Sequence, residues 1–140
     1  MDTIKINGVL QLKAYQGDNL IWDHEDNNLI VSSGYLALLS GLSGNSNKNI
    51  SKVQVGTNST ATNKNDVNIS NPLDIDITSF DPTSSKLTIY FTFGEMQGND
   101  QSWSEFGLIC ADGSLFARKV VPTFTKIQDL TIEGIWTINI

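Results

Sequence analysis

Leu87-Thr88-Ile89-Tyr90-Phe91-Thr92-Phe93 and Leu130-Thr131-Ile132-Glu133-Gly134-Ile135-Trp136-Thr137-Ile138-Asn139 decide the fold class of this 140-residue chain. Successive side chains on a strand point to opposite faces, so residues two apart share a face. Leu87, Ile89, Phe91 and Phe93 therefore lie together, with Thr88, Tyr90 and Thr92 behind them. Leu130, Ile132, Trp136, Ile138 and Ile140 alternate in the same way with Thr131, Glu133, Thr137 and Asn139. Both segments predict half-buried strands with one apolar face and one solvated face.

The same period recurs on either side. Ile4, Ile6, Leu10 and Leu12 alternate with Lys5, Gln11 and Lys13, and Gly17-Asp18-Asn19 then turns the chain into a second strand beginning at Leu20 and Trp22. Shorter alternations run through Val53 and Val55, and through Leu73, Ile75 and Ile77. Phe106 to Ala111 and Leu115 to Val121 flank Asp112-Gly113, the strongest hairpin signal in the chain. About eight strands at this spacing predict an all-β fold. The expected form is a single domain over residues 1–140, an antiparallel, jelly-roll-like β-sandwich, with Leu87, Ile89, Phe91, Phe93, Leu130, Ile132, Trp136 and Ile138 facing inward.

Ser32-Ser33-Gly34-Tyr35-Leu36-Ala37-Leu38-Leu39-Ser40-Gly41 breaks the period. Capping serines, good helix formers and a final glycine predict one short helix. It is apolar nearly all round and too short to stand alone in water, so it is expected to plug one end of the sandwich. The Asn-, Ser- and Thr-rich stretch from Gly56 to Asp66 reads as a long exposed loop.

Composition narrows the function. At 39 % hydrophobic and 9 % aromatic content, the chain can bury a core, on the order of two-thirds of its unfolded surface. Nine basic against fifteen acidic residues leave a net charge of −6, and Arg118 is the sole arginine. Lys5, Lys13, Lys48, Lys52, Lys64 and Lys86 are dispersed and form no basic patch to neutralise phosphates, so nucleic acid is not an expected partner. No apolar stretch reaches the roughly 20 residues that span a bilayer, and no signal peptide opens the chain, so a soluble protein without a membrane partner is expected.

Catalytic constellations are not legible. His24, the one histidine, lies between Asp23 and Glu25 on a strand, where both neighbours point away from its ring, so a surface role is expected. Asp74 and Asp76 share a strand face at about 7 Å, but Leu73, Ile75 and Ile77 claim the core side and leave both carboxylates in solvent. Gly98-Asn99-Asp100 offers too few oxygens for calcium and reads as a turn. The single cysteine, Cys110, sits in an apolar run as a small buried hydrophobe and excludes an internal disulfide. No catalytic, metal or cofactor site is expected, and the chain is read as non-enzymatic.

The ordered set of motifs resembles a family of small virion proteins of tailed bacteriophages. Its carriers are Asn28-Leu29-Ile30-Val31-Ser32-Ser33-Gly34 leading into Leu36-Ala37-Leu38-Leu39, then Ile50 through Val53-Gln54-Val55-Gly56-Thr57. Trp103-Ser104-Glu105-Phe106-Gly107-Leu108, Asp112-Gly113-Ser114-Leu115-Phe116-Ala117-Arg118 and Lys126 follow, before the final Leu-x-Ile-x-x-x-Trp-x-Ile strand. The resemblance implies a module on the particle surface, made in the host cytoplasm: a capsid decoration (cement) protein, or a tail-fibre, baseplate or carbohydrate-recognition component. For a decoration protein the implied partners are the major capsid protein and further copies of itself, as a dimer or trimer. Trp22 and Trp136 in phase with core positions, with Tyr90 alone pointing out, favour the clamp over a sugar-binding module. Its affinity is expected from Val120, Val121 and Phe124 around Pro122, where proline limits sheet pairing.

Overall fold

In the computed structural model, which describes residues 6–140, the alternation is realised as eight antiparallel strands and one helix. They are β1 (Asn7–Gln16), β2 (Asn19–Ile30), α1 (Ser32–Leu42), β3 (Ile50–Gly56), β4 (Leu73–Pro82), β5 (Lys86–Phe93), β6 (Gln101–Cys110), β7 (Leu115–Lys126) and β8 (Leu130–Asn139). Ile4 and Lys5 of the expected first strand lie outside the described residues.

The strands close into a barrel in the order β1-β2-β7-β6-β3-β4-β5-β8, where a jelly-roll sandwich was expected. Two strands make the difference. β2 pairs with β1 over most of its length and then, at Leu29 and Ile30, with Arg118 and Ala117 of β7. β4 pairs with β3 from Leu73 to Asp76 and with β5 from Ile77 onward, across a register shift between Ile77 and Ser79. Strands that pass from one sheet to the other at such corners join two sheets into one closed surface. Inward alternation is the same in a sandwich and a barrel, so the sequence pattern does not separate them.

The interior is filled by the expected faces. Ile89, Phe91, Phe93, Ile132 and Trp136 are buried, as are Leu10 and Leu12 of β1 and Val53 and Val55 of β3. Phe91 lies opposite Gly134 in the β5–β8 register, and a Cβ on Gly134 would collide with its ring. The glycine thus makes room for an aromatic in the centre of the sheet. Trp136 donates its Nε1–H to Asn28 Oδ1 at 2.8 Å, which satisfies both buried groups. Ile140, by contrast, is exposed beyond the end of β8. With apolar residues inside and Gln11, Lys13, Glu133 and Thr137 on the outer face, the barrel has the opposite polarity to an outer-membrane barrel.

The β2–β7 seam is closed mainly by side chains. Lys119 Nζ meets Asp26 Oδ2 at 2.8 Å, and the Trp22 and Phe124 rings lie 5.9 Å apart. A slot of about 300 Å³ between them is lined by Trp22, His24, Pro122 and Phe124. Pro122 is tolerated because no backbone N–H is needed on this edge.

Helix α1 begins at Ser32 without a side-chain cap, contrary to the capping-serine expectation. Ser33 instead donates its hydroxyl to the Leu115 carbonyl of β7. Gly34 lies against the Phe116 carbonyl with no room for a Cβ, so the helix rests directly on β7. The helix continues past Gly41, and the left-handed turn falls at Gly44, φ 96°. The Asp112-Gly113 hairpin forms as expected, with Gly113 at φ 88°.

Candidate docking site at the helix end

The apolar character of α1 is used on one side only. Gly34 and Ala37 are buried against the barrel. Leu36, Leu39 and Leu42 are 60 %, 64 % and 79 % exposed, and Tyr35 and Leu38 are also open to solvent. A plug would bury them; an 11-residue helix with leucine on every face cannot, because a barrel end covers only one stripe.

Beside the helix runs a groove of about 730 Å³. Leu38 and Leu42 form one wall, Phe80, Pro82 and Leu87 of the β4–β5 hairpin the other, with Ile50 of β3 and Ile138 and Ile140 also lining it. Lys48 and Lys86 are the charged residues of its lining. Lys48 pairs with Asp112 in the β6–β7 turn and holds that carboxyl well below the usual carboxylate range, with help from Ser114. Lys86 makes no ion pair among the described residues. Chemically, the site offers contiguous apolar surface with a sparse basic rim, a combination suited to holding a partner and not to moving protons.

The charged groups inside the fold are held in structural bonds. Arg118 is buried on the outer face of β7, beneath the segment from Thr57 to Pro72. Its Nε donates to Glu105 Oε1 at 2.8 Å, one terminal nitrogen to Asp66 Oδ2 at 2.9 Å, and the other to the carbonyls of Asn58 at 3.0 Å and Thr60 at 2.9 Å. Glu105, fully buried, accepts from the Asn58 and Ser70 amides at its other oxygen, 2.7 and 3.1 Å. Beyond the Nε–Oε1 bond between them, the terminal nitrogens of Arg118 and Oε2 of Glu105 are bonded to this strap, which covers Ile109 and Leu115 with Ile69. The expected exposed loop is therefore pinned. Three signals in the sequence mark it: a lone arginine, a glutamate inside an apolar strand, and Ile69 in a polar run.

Lys126 is a second buried cation. Its Nζ donates to Asn99 Oδ1 and the Ile127 carbonyl at 3.0 and 3.1 Å and lies 5.2 Å from the Phe93 ring centre. Burial pulls its pKa below the ordinary lysine value.

The other singled-out residues lie apart from one another. Asp74 faces solvent as expected and bonds Lys52 and Gln54, both at 2.9 Å, which lowers its pKa; Asp76 is also exposed. His24, expected at the surface, is half-buried beside the seam slot, with its Nε2 buried and without a hydrogen-bond partner. Gly98 and Asp100 adopt positive φ in a turn, where Asn99 holds Lys126. Cys110 is buried as expected, and desolvation raises its pKa. Val121 is buried, and Phe124 packs against Phe93, Phe106 and Trp22, so these two belong to the core and not to the expected free surface, while Val120 is half-buried. Among the described residues, no three of His, Cys, Asp and Glu come together as a metal site, and no helix is long and apolar enough to cross a membrane.

No family model, curated protein or solved structure matches the chain.

Proposed function

We propose that this chain is a non-enzymatic structural protein of a tailed-bacteriophage virion, acting as a capsid decoration protein that clamps major capsid subunits. The observation that carries the reading is the exposed leucine face of α1 beside an apolar groove. Contiguous apolar surface of this kind, rimmed by polar residues, is retained where a partner covers it. The motif resemblance supports the virion setting, and its residues have structural work: Ser33 and Gly34 seat α1 on β7, while Glu105 and Arg118 pin the strap.

A filled barrel is mechanically suited to a clamp. Its core aromatics interlock, with Phe91 6.0 Å from Phe106 and Phe93 6.1 Å from Trp103, so load on one face passes through packed side chains. The net charge of −6 speeds encounter with a basic particle surface at long range, while the docking surface itself, whose charged lining is Lys48 and Lys86, supplies apolar contact.

A tail-fibre, baseplate or carbohydrate-recognition role is the second reading. It is favoured by one feature, a groove of about 420 Å³ lined by β1, β4, β5 and β8, where Tyr15 and Tyr90 accompany Gln11, Lys13 and Glu133. Deleting the protein and challenging the particles with heat, chelator and osmotic shock separates the two. The clamp reading expects depleted heads to rupture under milder conditions. Heads that survive as well as intact ones, with failed host adsorption, would transfer the function to the tail.

A further inference from the structure

We infer that Lys126 and Asn99 join covalently inside the fold, through an isopeptide bond between Nζ of the lysine and Cγ of the asparagine. The bond is independent of what the chain binds.

Burial is the first argument. Lys126 is fully buried at the end of β7, yet it makes no ion pair among the described residues. Its partners are all neutral: Asn99 Oδ1 at 3.0 Å, the Ile127 carbonyl at 3.1 Å and the Phe93 ring. An ammonium kept from water without a carboxylate against it is costly, so the site favours the neutral amine. Arg118 shows the contrast, since Glu105 and Asp66 match its charge. Desolvation lowers the Lys126 pKa, and the charge of Glu95 opposes this more weakly. A desolvated lysine amine is an activated nucleophile.

Positioning is the second. Gln101 pairs with Lys126 in the β6–β7 ladder, and the Asp100 N–H donates to the Lys126 carbonyl at 2.7 Å. Gly98 and Asp100, on either side of Asn99, adopt φ 58° and 64°, and Trp103 Nε1–H holds the Gly98 carbonyl at 3.0 Å. The Asn99 amide is fixed at both ends, because Nδ2 donates to the Glu95 carbonyl at 2.7 Å while Oδ1 accepts from Nζ. Nζ thus lies one bond away from the carbon it attacks, near the roughly 3–3.5 Å separation of a near-attack pair.

The reaction balances without an oxidant, a reductant or a co-reactant. Neutral Nζ attacks Cγ, the Cγ–Nζ bond forms and the Cγ–Nδ2 bond breaks. One Nζ proton stays on the new secondary amide. The other passes to Nδ2 by way of the Glu95 carboxyl, which lies within electrostatic reach of Lys126, and Nδ2 leaves as ammonia. The product closes a loop between positions 27 apart and ties the β5–β6 turn to the end of β7.

Mass spectrometry of the full chain tests this directly. The intact protein should be lighter than its sequence by one ammonia, about 17 Da, and a digest should yield a branched peptide joining Asn99 to Lys126. Lys126→Arg and Asn99→Ala should each restore the sequence mass while retaining the wild-type circular dichroism spectrum. In freshly made protein, Glu95→Gln should slow the loss of ammonia at least tenfold, as removal of a proton relay does. A wild type at its full sequence mass overturns the inference. So does ammonia loss without the branched peptide, the signature of succinimide formation at an asparagine. Cross-linking of Glu95→Gln at the wild-type rate overturns the relay.

Discussion

Arg118 and Glu105 face each other fully buried, Nε to Oε1 at 2.8 Å, on the outside of the barrel and beneath a strap of some of the most polar sequence in the chain. Burying an ion pair costs desolvation of both partners, which the pair recovers only when every remaining donor and acceptor is matched. Here the match comes from Asp66 and from the backbone of Asn58, Thr60 and Ser70, so the pair ties the strap to β6 and β7.

Removing one partner leaves an uncompensated buried charge. Arg118→Ala is expected to cost about 3–5 kcal/mol, and Arg118→Lys to recover only part of it, since an ammonium cannot serve four acceptors in one plane. Urea titration measures the stability. Limited proteolysis should cut the variant first within residues 57–72, and equal resistance in variant and wild type would show that the strap is held by something else.

Much of this architecture is legible in the sequence because the period is local. Ile89, Phe91, Ile132 and Trp136 are found by alternation alone, and the Asp112-Gly113 turn by its dipeptide. Barrel closure is not legible, since it depends on where β2 and β4 change partners, a relation between distant segments. The strap is marked only by isolated residues, Arg118, Glu105 and Ile69, and its pinning depends on a relation between distant segments. Asparagine and threonine read as solvated until Arg118, 60 residues from Asn58 and 58 from Thr60, supplies donors for their carbonyls. The all-round apolarity of α1 was plain, but which leucines stay exposed follows only from Gly34 and Ala37 turning inward.

Gly134 and Phe91 form a coupled pair. Gly134→Ala forces the Phe91 ring aside and is expected to cost about 1–3 kcal/mol, as overpacking does. Phe91→Ala and Trp136→Ala should each cost about 3–5 kcal/mol through the cavities left behind. In the double variant Gly134→Ala/Phe91→Leu the penalties should not add, because the smaller side chain vacates the clash. Additive losses in denaturant titration would mean that the two residues do not share this space.

Two glycines of α1 should respond oppositely. Gly34→Ala drives a methyl group into the Phe116 carbonyl and should destabilise the helix by about 1–3 kcal/mol. Gly41 has open space around its Cβ position, so Gly41→Ala should stabilise by about 0.5–1 kcal/mol through helix propensity. Thermal melts of the two variants shifting in the same direction would contradict the seating of α1 on β7.

Acid should weaken the fold in a defined window. Lys119, Lys52 and Lys48 hold the carboxyls of Asp26, Asp74 and Asp112 below the ordinary value of 3.8. A depressed carboxylate binds fewer protons folded than unfolded, so its contribution is complete above that ordinary value and is lost as pH falls below it. The melting temperature should be level above about pH 5 and decline below about pH 4, with a smaller decline at high salt, since these are surface pairs. An unchanged melting temperature down through that range would show that the pairs contribute nothing.

Immunogold labelling of intact virions against this protein tests the central claim most directly, because a decoration protein must lie on the outside of the head. The account predicts gold distributed over heads, in many copies, with tails unlabelled. Gold confined to tail tips or baseplates, or particles without label, would contradict it.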